Sequence, residues 1–241
     1  EGKAIVVEPG SGLGILRDEG QSQFAAPMPL GDLPEGVRGL AESGPMLIIS
    51  KTNAESTVHR RARMDYIGVK KVSAEGEVTG EQRFLGLFTS RTYSEDAEQI
   101  PLLRLKLDQI LNASGLQKGS HDYKETVTIF NSMAKEELFL TSADQIGEDI
   151  QTILRAYHSD DATVTIRDDA LFRGMSVMVI LPRDRFSGAV SRSIEKALVE
   201  ECGGEVLNYH LAIGRSDQAR LQFHLAVDSA NRPSVDEHGL Q

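Results

Sequence analysis

The hydrophobic pattern of this chain of 241 residues changes period twice, so a single repeated layer of helices or of strands cannot accommodate it. Residues 46–50 form an apolar run suited to a buried strand. Residues 65–72 and 77–89 read as two longer strands joined by Ser73-Ala74-Glu75-Gly76, which predicts a hairpin in an antiparallel sheet. Near Tyr93 the period lengthens to that of a helix. Leu103, Leu107, Ile110 and Leu111 recur behind Pro101, which suits a first helical turn, and Gly115 is placed to stop the helix. A second short helix is expected from Asp122, with Tyr123, Val127 and Phe130 on one face. These helices read as a connector.

A third regime begins at Glu136. Residues 138–140 are expected as a short strand, followed by a capping box in which Ser142 and Gln145 satisfy backbone N–H groups. An amphipathic helix follows, with Ile146, Ile150, Ile153, Leu154 and Tyr157 inward. Strands are expected over 162–168 and 175–181, with a turn through 169–174; the alternation of Val164 and Ile166 with Thr163, Thr165 and Arg167 predicts a sheet wet on one side. Ser187 caps a helix that buries Val190, Ile194, Ala197 and Leu198 and ends at Gly203-Gly204, and strands at 205–213 and 220–227 complete the unit. The order β-α-β-β-α-β-β contains the split β-α-β arrangement of ferredoxin-like folds, two helices covering one face of the sheet. The fold class is therefore α+β.

Residues 9–45 hold Pro9, Pro27, Pro29, Pro34 and Pro45 with eight glycines, so this stretch is expected to be mostly loop. The chain starts at Glu1 and enters a strand-like run at Ala4, which reads as a piece of something longer. Its formal charge of −10 disfavours nucleic acid and anionic membranes as main partners. The longest wholly apolar run, residues 177–181, is too short to cross a bilayer. A single cysteine, Cys202, suits a reducing compartment, so a cytoplasmic location is expected.

Few motifs point to chemistry. Glu8-Pro9-Gly10-Ser11-Gly12-Leu13-Gly14 resembles a dinucleotide loop, but Ile15 sits where a third glycine would be counted from Gly10, and no helix of useful length is expected after it. His59-Arg60-Arg61-Ala62-Arg63 suits a charged strand edge better than an anion site. Of the six histidines, only His210 and His224 are placed to be neighbours, on the two terminal strands, and a metal needs three or four ligands. Cys202 lies at a helix C-terminus, where the dipole raises a thiol pKa. The pairs Asp160-Asp161 and Asp168-Asp169 read as solvated turns. No catalytic, cofactor-binding or metal residue is assigned.

The wording of the chain is more specific than its periodicity. Ser56-Thr57-Val58-His59-Arg60, Met64-Asp65-Tyr66-Ile67-Gly68-Val69-Lys70 and Gly80-Glu81-Gln82-Arg83-Phe84-Leu85-Gly86-Leu87-Phe88-Thr89-Ser90 resemble the amino-terminal region of the large bacterial NAD-specific glutamate dehydrogenases. So do Ile100-Pro101-Leu102-Leu103-Arg104, Gly119-Ser120-His121-Asp122, Glu137-Leu138-Phe139, Leu181-Pro182-Arg183-Asp184-Arg185-Phe186 and Ala219-Arg220-Leu221-Gln222-Phe223, in the same order over about residues 10 to 227.

The resemblance implies a partial PAS-like sheet over 1–92, a helical connector over 93–135, an ACT-like domain over 136–230, and a tail or start of a next segment over 231–241. It also implies a non-catalytic regulatory or assembly segment of a parent that converts L-glutamate to 2-oxoglutarate and ammonia with NAD. The family's catalytic residues have no counterpart here. The expected partners are the remaining domains of the parent chain, a further copy of the chain as a homo-oligomer, and an amino-acid effector. If an effector binds, the turn Thr141, Ser142, Ala143 and Asp144 is the place expected for it, because a helix N-terminus offers N–H groups to a carboxylate. The competing reading is that Ser142 already uses those donors. A stand-alone metabolite sensor is the alternative function.

Overall fold

The computed structural model describes residues 3–22, 24–33, 35–59, 61–157, 159–168, 174–213 and 217–227. The chain divides into two compact units, Glu1–Leu87 and Phe88–Gln241.

In the first unit, β1 (Ala4–Ile5) and β2 (Met28–Pro29) form a two-stranded ribbon, α1 spans Glu35–Ser43, and β3 (Leu47–Glu55), β4 (Arg63–Val72) and β5 (Val78–Gly86) form an antiparallel sheet in that order. The expected hairpin is present. Gly76 closes its turn at φ 85°, and the Ser73 N–H donates to the Glu77 carbonyl at 2.8 Å. The glycine-rich stretch after β1 forms short 3₁₀ turns at Gly14–Arg17 and Glu19–Gln21. Helix α1 was not expected in a stretch so rich in Gly and Pro; its half-buried Val37, Leu40 and Ala41 fall at helical spacing, and that apolar face outweighs the cost of Gly36 and Gly39.

The second unit begins with α2 (Ser90–Ser94) and α3 (Pro101–Ser114). Pro101 sits in the first turn of α3 and Gly115 ends it in the left-handed conformation at φ 64°. Helix α4 (His121–Ser132) is capped by Ser120, whose Oγ accepts from the Tyr123 N–H. Helix α5 (Lys135–Leu140) replaces the strand expected at 138–140. An apolar triplet carries no period of its own. Here Glu136 and Glu137 suit a helix's first turn, Leu138 is fully buried, and the Phe139 ring stacks on Phe88 at 4.9 Å. Helix α6 (Ala143–Ala156) follows. Leu103, Leu107, Ile129, Phe130, Ile146 and Ile150 make the buried core of this helical region.

The remaining elements are β6 (Thr163–Asp168), β7 (Met175–Pro182), α7 (Gly188–Cys202), β8 (Glu205–Ile213) and β9 (Gln218–Ala226). They form an antiparallel sheet in the order β6-β7-β9-β8. Strands β7 and β8 both run antiparallel to β9, so β7-α7-β8 is a split β-α-β unit with β9 between its strands. Ser187 Oγ caps α7 by accepting from the Val190 N–H, and Gly203 ends it at φ 64°.

Two expectations about the sheet are corrected. It is not wet on one side, and its two helices do not share a face. One face presents Val164, Val177, Val179, Leu221 and Phe223 to Leu198 and Cys202 of α7, with Val190 and Ile194 packed around them. The other face, carrying Arg167, Ser176, Met178, Ile180, Arg220, Gln222 and His224, lies under the helical region, to which it is tied by the hydrogen bonds and ion pairs described below. The apolar run of β7 is buried on both of its sides, the pattern of a strand covered twice.

Candidate functional site

The densest arrangement of charge in the second unit is this covered polar face. The Glu137 carboxylate of α5, 2% exposed, accepts from Arg167 Nη2 of β6 at 2.7 Å and from Ser176 Oγ of β7 at 2.7 Å, and His224 Nε2 of β9 lies 3.1 Å from it. Arg167 Nη1 lies 2.7 Å from Asp149 Oδ2 of α6, so one guanidinium bridges two buried carboxylates from two helices. Gln222 Nε2 donates to Ser176 Oγ at 2.7 Å, and Arg220 Nη2 donates to the Ser132 carbonyl and hydroxyl at the end of α4. Burial pushes the Asp149 carboxyl up to about 6, against the opposing pull of Arg167. His210 of β8 is held below its usual pKa, first by burial and then by the Arg220 charge.

The side chains that meet here pair charge against charge, with Asp149 Oδ2, Arg167 Nη1 and His224 Nε2 engaged by ion-pair proximity and not by a hydrogen bond. Carboxylates supplied by helices are met by cations supplied by the sheet, which makes a joint. A second cation works within the helical region. Lys106 Nζ of α3 donates to the carbonyls of Leu138 at 2.7 Å, Phe139 at 3.0 Å and Thr141 at 2.6 Å, so it caps the C-terminal end of α5. Burial pushes its pKa down to about 8.

The turn expected as an effector site lies between α5 and α6. The Thr141 N–H donates to the Glu137 carbonyl at 2.9 Å, Ser142 is the N-cap of α6, and Ser142 Oγ accepts from the Gln145 N–H at 3.3 Å. The Gln145 side chain accepts from the Ser142 hydroxyl at 3.1 Å and does not reach back to the backbone, so only half of the expected box forms. Ala143 and Asp144 open the helix.

The other residues singled out in the sequence are dispersed. His59, at φ 62°, and Arg61 lie in the connection between β3 and β4, and Arg63 is the first residue of β4, paired with Glu55; Arg60 falls outside the described residues. His210 and His224 share a face of adjacent strands through the pairs His210–Gln222 and Asn208–His224. His158, His238, Asp169 and residues 231–241 fall outside the described residues, as does most of the turn over 169–174. Cys202 is free and buried, and its thiol pKa is raised by burial first and by Glu201 second. Among the described residues no group of three His, Cys, Asp or Glu side chains is arranged to hold a metal, and no helix is long and apolar enough to cross a membrane.

Sequence reasoning missed the joint. Asp149 falls between Ile146 and Ile150 on the apolar stripe of α6, and a carboxylate there was the available signal for a buried partner. The alternation of Val164 and Ile166 with Thr163, Thr165 and Arg167 suggested a wet face, whereas Met178 and Ile180, paired with Thr165 and Thr163 on that face, argue for a covered one.

Comparison with known proteins divides the unit along this joint. Residues 100–158 match the family model described as "Glutamate dehydrogenase, helical motif 1", and residues 163–241 match "Glutamate dehydrogenase, ACT2 domain". Glu137 and Asp149 come from the first match; Arg167, Ser176 and His224 come from the second. The class defined is an ACT-type α+β domain fastened to a helical motif. Among curated proteins, the NAD-specific glutamate dehydrogenase of Pseudomonas aeruginosa is 30% identical over 196 residues, 81% of this chain and 12% of that protein. That of Halomonas elongata is 28% identical over 196 residues, again 81% and 12%. That of Mycobacterium tuberculosis is 26% identical over 236 residues, 95% of this chain and 14% of that protein. The chain belongs to the NAD-specific glutamate dehydrogenase family, and it spans 12–14% of the length of these relatives.

Proposed function

We propose that this chain is a non-catalytic regulatory and assembly segment of a large NAD-dependent glutamate dehydrogenase, whose whole chain oxidises L-glutamate to 2-oxoglutarate and ammonia. The observation that carries the reading is the pairing of a helical motif and an ACT2 domain, in order, across a chain whose aligned part makes up only 12% of its relative. Hydride transfer needs a nicotinamide site and a proton-transfer group beside the substrate carbon. The charged groups that gather in this segment are instead engaged with one another in the joint.

In this reading residues 1–92 form a PAS-like portion, the helical connector expected over 93–135 runs on through α5 and α6, and the ACT-like domain expected over 136–230 begins at β6, following the division between the two family matches. Helix α6 serves both neighbours, packing on α3 and presenting Asp149 to the sheet. The partners are the other domains of the dehydrogenase and further copies of the chain in a cytoplasmic homo-oligomer, and NAD is the cofactor of the whole enzyme. An amino-acid effector at Thr141, Ser142, Ala143 and Asp144 would compete with the cap that Ser142 already gives Gln145, and chemical-shift mapping with amino acids tests it. The decisive experiment on the chain itself is calorimetric titration with NAD together with an assay of glutamate-dependent NAD reduction. Neither binding nor turnover is expected. Saturable NAD binding would overturn the reading.

A further inference from the structure

The sheet of the second unit has two edges, and the fold treats them differently. Strand β6 is six residues long, and only Asp168 at its end is exposed. Strand β8 is nine residues long, pairs with β9 alone among the described residues, and is exposed at every residue over 207–210. Its outward N–H and C=O groups form a row ready to pair with another strand. Proteins ordinarily blunt such an edge with Lys, Pro or a bulge. Residues 205–213 include no Lys, Arg or Pro, and the one irregularity of register falls between Val206 and Asn208, so 208–213 make a regular open edge.

The side chains along this edge are apolar where water would favour charge. On the α7 face Tyr209 is 53% and Ile213 44% exposed, with Leu211 half-buried between them. Their partners on β9, Phe223, Ala219 and Leu221, are fully buried. The Tyr209 ring stacks on Phe223 at 5.7 Å, which holds it against the sheet as part of a fixed apolar strip.

The edge admits an extended strand, and the pleat restricts how a second β8 can pair with it. Residues directly opposite in an antiparallel pair share a face, so the register must set like face against like. With Leu211 opposite Leu211, Tyr209 meets Ile213 twice and His210 meets Ala212, all within the regular stretch. Apolar side chains then face apolar ones, and Glu205, the one acidic residue of the strand, stays outside the paired stretch. Centring the pair on His210 instead would oppose two imidazoles and set Ile213 against Leu207 at the irregularity. A twofold axis at Leu211 makes the contact self-complementary and closed.

We propose that β8 is the docking edge for a second copy of this chain, the two strands pairing antiparallel about Leu211 so that the two sheets become continuous. The inference rests on the homo-oligomer part of the reading above and names the surface it uses.

The test is sedimentation equilibrium of the full chain over a concentration series, with the mass expected to rise from that of one chain toward that of two. Tyr209→Lys places a cation on the open edge and is expected to weaken the dimer about tenfold, because the axis repeats each lost contact. Leu105→Lys adds the same charge at an exposed apolar site on α3 and is expected to leave association unchanged. Both sites are exposed, so circular dichroism should show both variants folded. Leu211→Cys gives a second readout, since it puts one thiol of each copy at the axis. It is expected to yield a disulfide-linked dimer under oxidised glutathione, whereas the unsubstituted chain, whose single Cys202 is buried, is expected to yield none. A chain that stays monomeric at every concentration would overturn the proposal. So would a dimer as tight in Tyr209→Lys as in the unsubstituted chain, a result that removes this edge and leaves the homo-oligomer standing. Neither result touches the non-catalytic reading, which the titration with NAD decides.

Discussion

Replacing Arg167 by alanine should be the most damaging single change to the second unit. The guanidinium, 14% exposed as a side chain, is 2.7 Å from Glu137 and 2.7 Å from Asp149, whose side chains are 3% and 6% exposed. Its removal leaves two carboxylates in a medium that solvates them poorly. Breaking a buried pair from one side costs about 3–5 kcal/mol. The pH dependence follows from Asp149. Its folded pKa, about 6, lies above the ordinary value of 3.8, so protonation favours the folded state. Two pKa units correspond to about 3 kcal/mol, present below the ordinary value and lost as the pH rises through about 6. Without Arg167 the carboxyl is pushed higher still. Urea unfolding of Arg167→Ala should therefore show the full loss at about pH 8 and a partial recovery at about pH 5. A loss below about 1 kcal/mol, the scale of an exposed pair, or a loss equal at both pH values, would refute the joint.

Three further outcomes are expected. Lys106→Met strips the end of α5 of a donor shared by three carbonyls and should cost about 1–3 kcal/mol in urea melts. Because the Lys106 pKa falls from 10.5 to about 8 on folding, stability should rise as the pH climbs from about 8 to 10.5 in the unmodified chain, and this limb should flatten in the variant. Ile150→Ala in α6 and Leu198→Ala in α7, at sites 0% and 2% exposed, should each cost about 2–5 kcal/mol by denaturant titration. Gly204→Ala places a Cβ 2.3 Å from the Ala226 carbonyl oxygen, so the ends of β8 and β9 must shift, and the melting midpoint should drop by an amount equivalent to about 1–3 kcal/mol.

What could be read in advance was what short-range rules govern. Pro101, Gly115, Ser187 and Gly203 mark helix ends because their effect is local, and each stands at the end it marked. The β4–β5 hairpin was legible for the same reason. Three features depended on tertiary contact. Residues 138–140 are helical because Phe139 and Leu138 are buried and Lys106 binds their carbonyls and that of Thr141, and nothing within the triplet says so. The second covered face of the sheet is polar, so alternation alone assigned it to water. The buried place of Gln218 at the start of β9 follows from the end of α6, where the Ala156 and Ser159 carbonyls accept from its amide nitrogen.

The measurement that most directly tests the functional account is made on the parent dehydrogenase carrying Arg167→Ala within this segment. Steady-state turnover of glutamate and NAD, followed alongside oligomer mass and response to amino acids, separates chemistry from control. The account predicts that turnover at saturating substrates is retained in the assembled enzyme while assembly or effector response changes. An enzyme that keeps its oligomeric mass and effector response but loses the chemical step would contradict it.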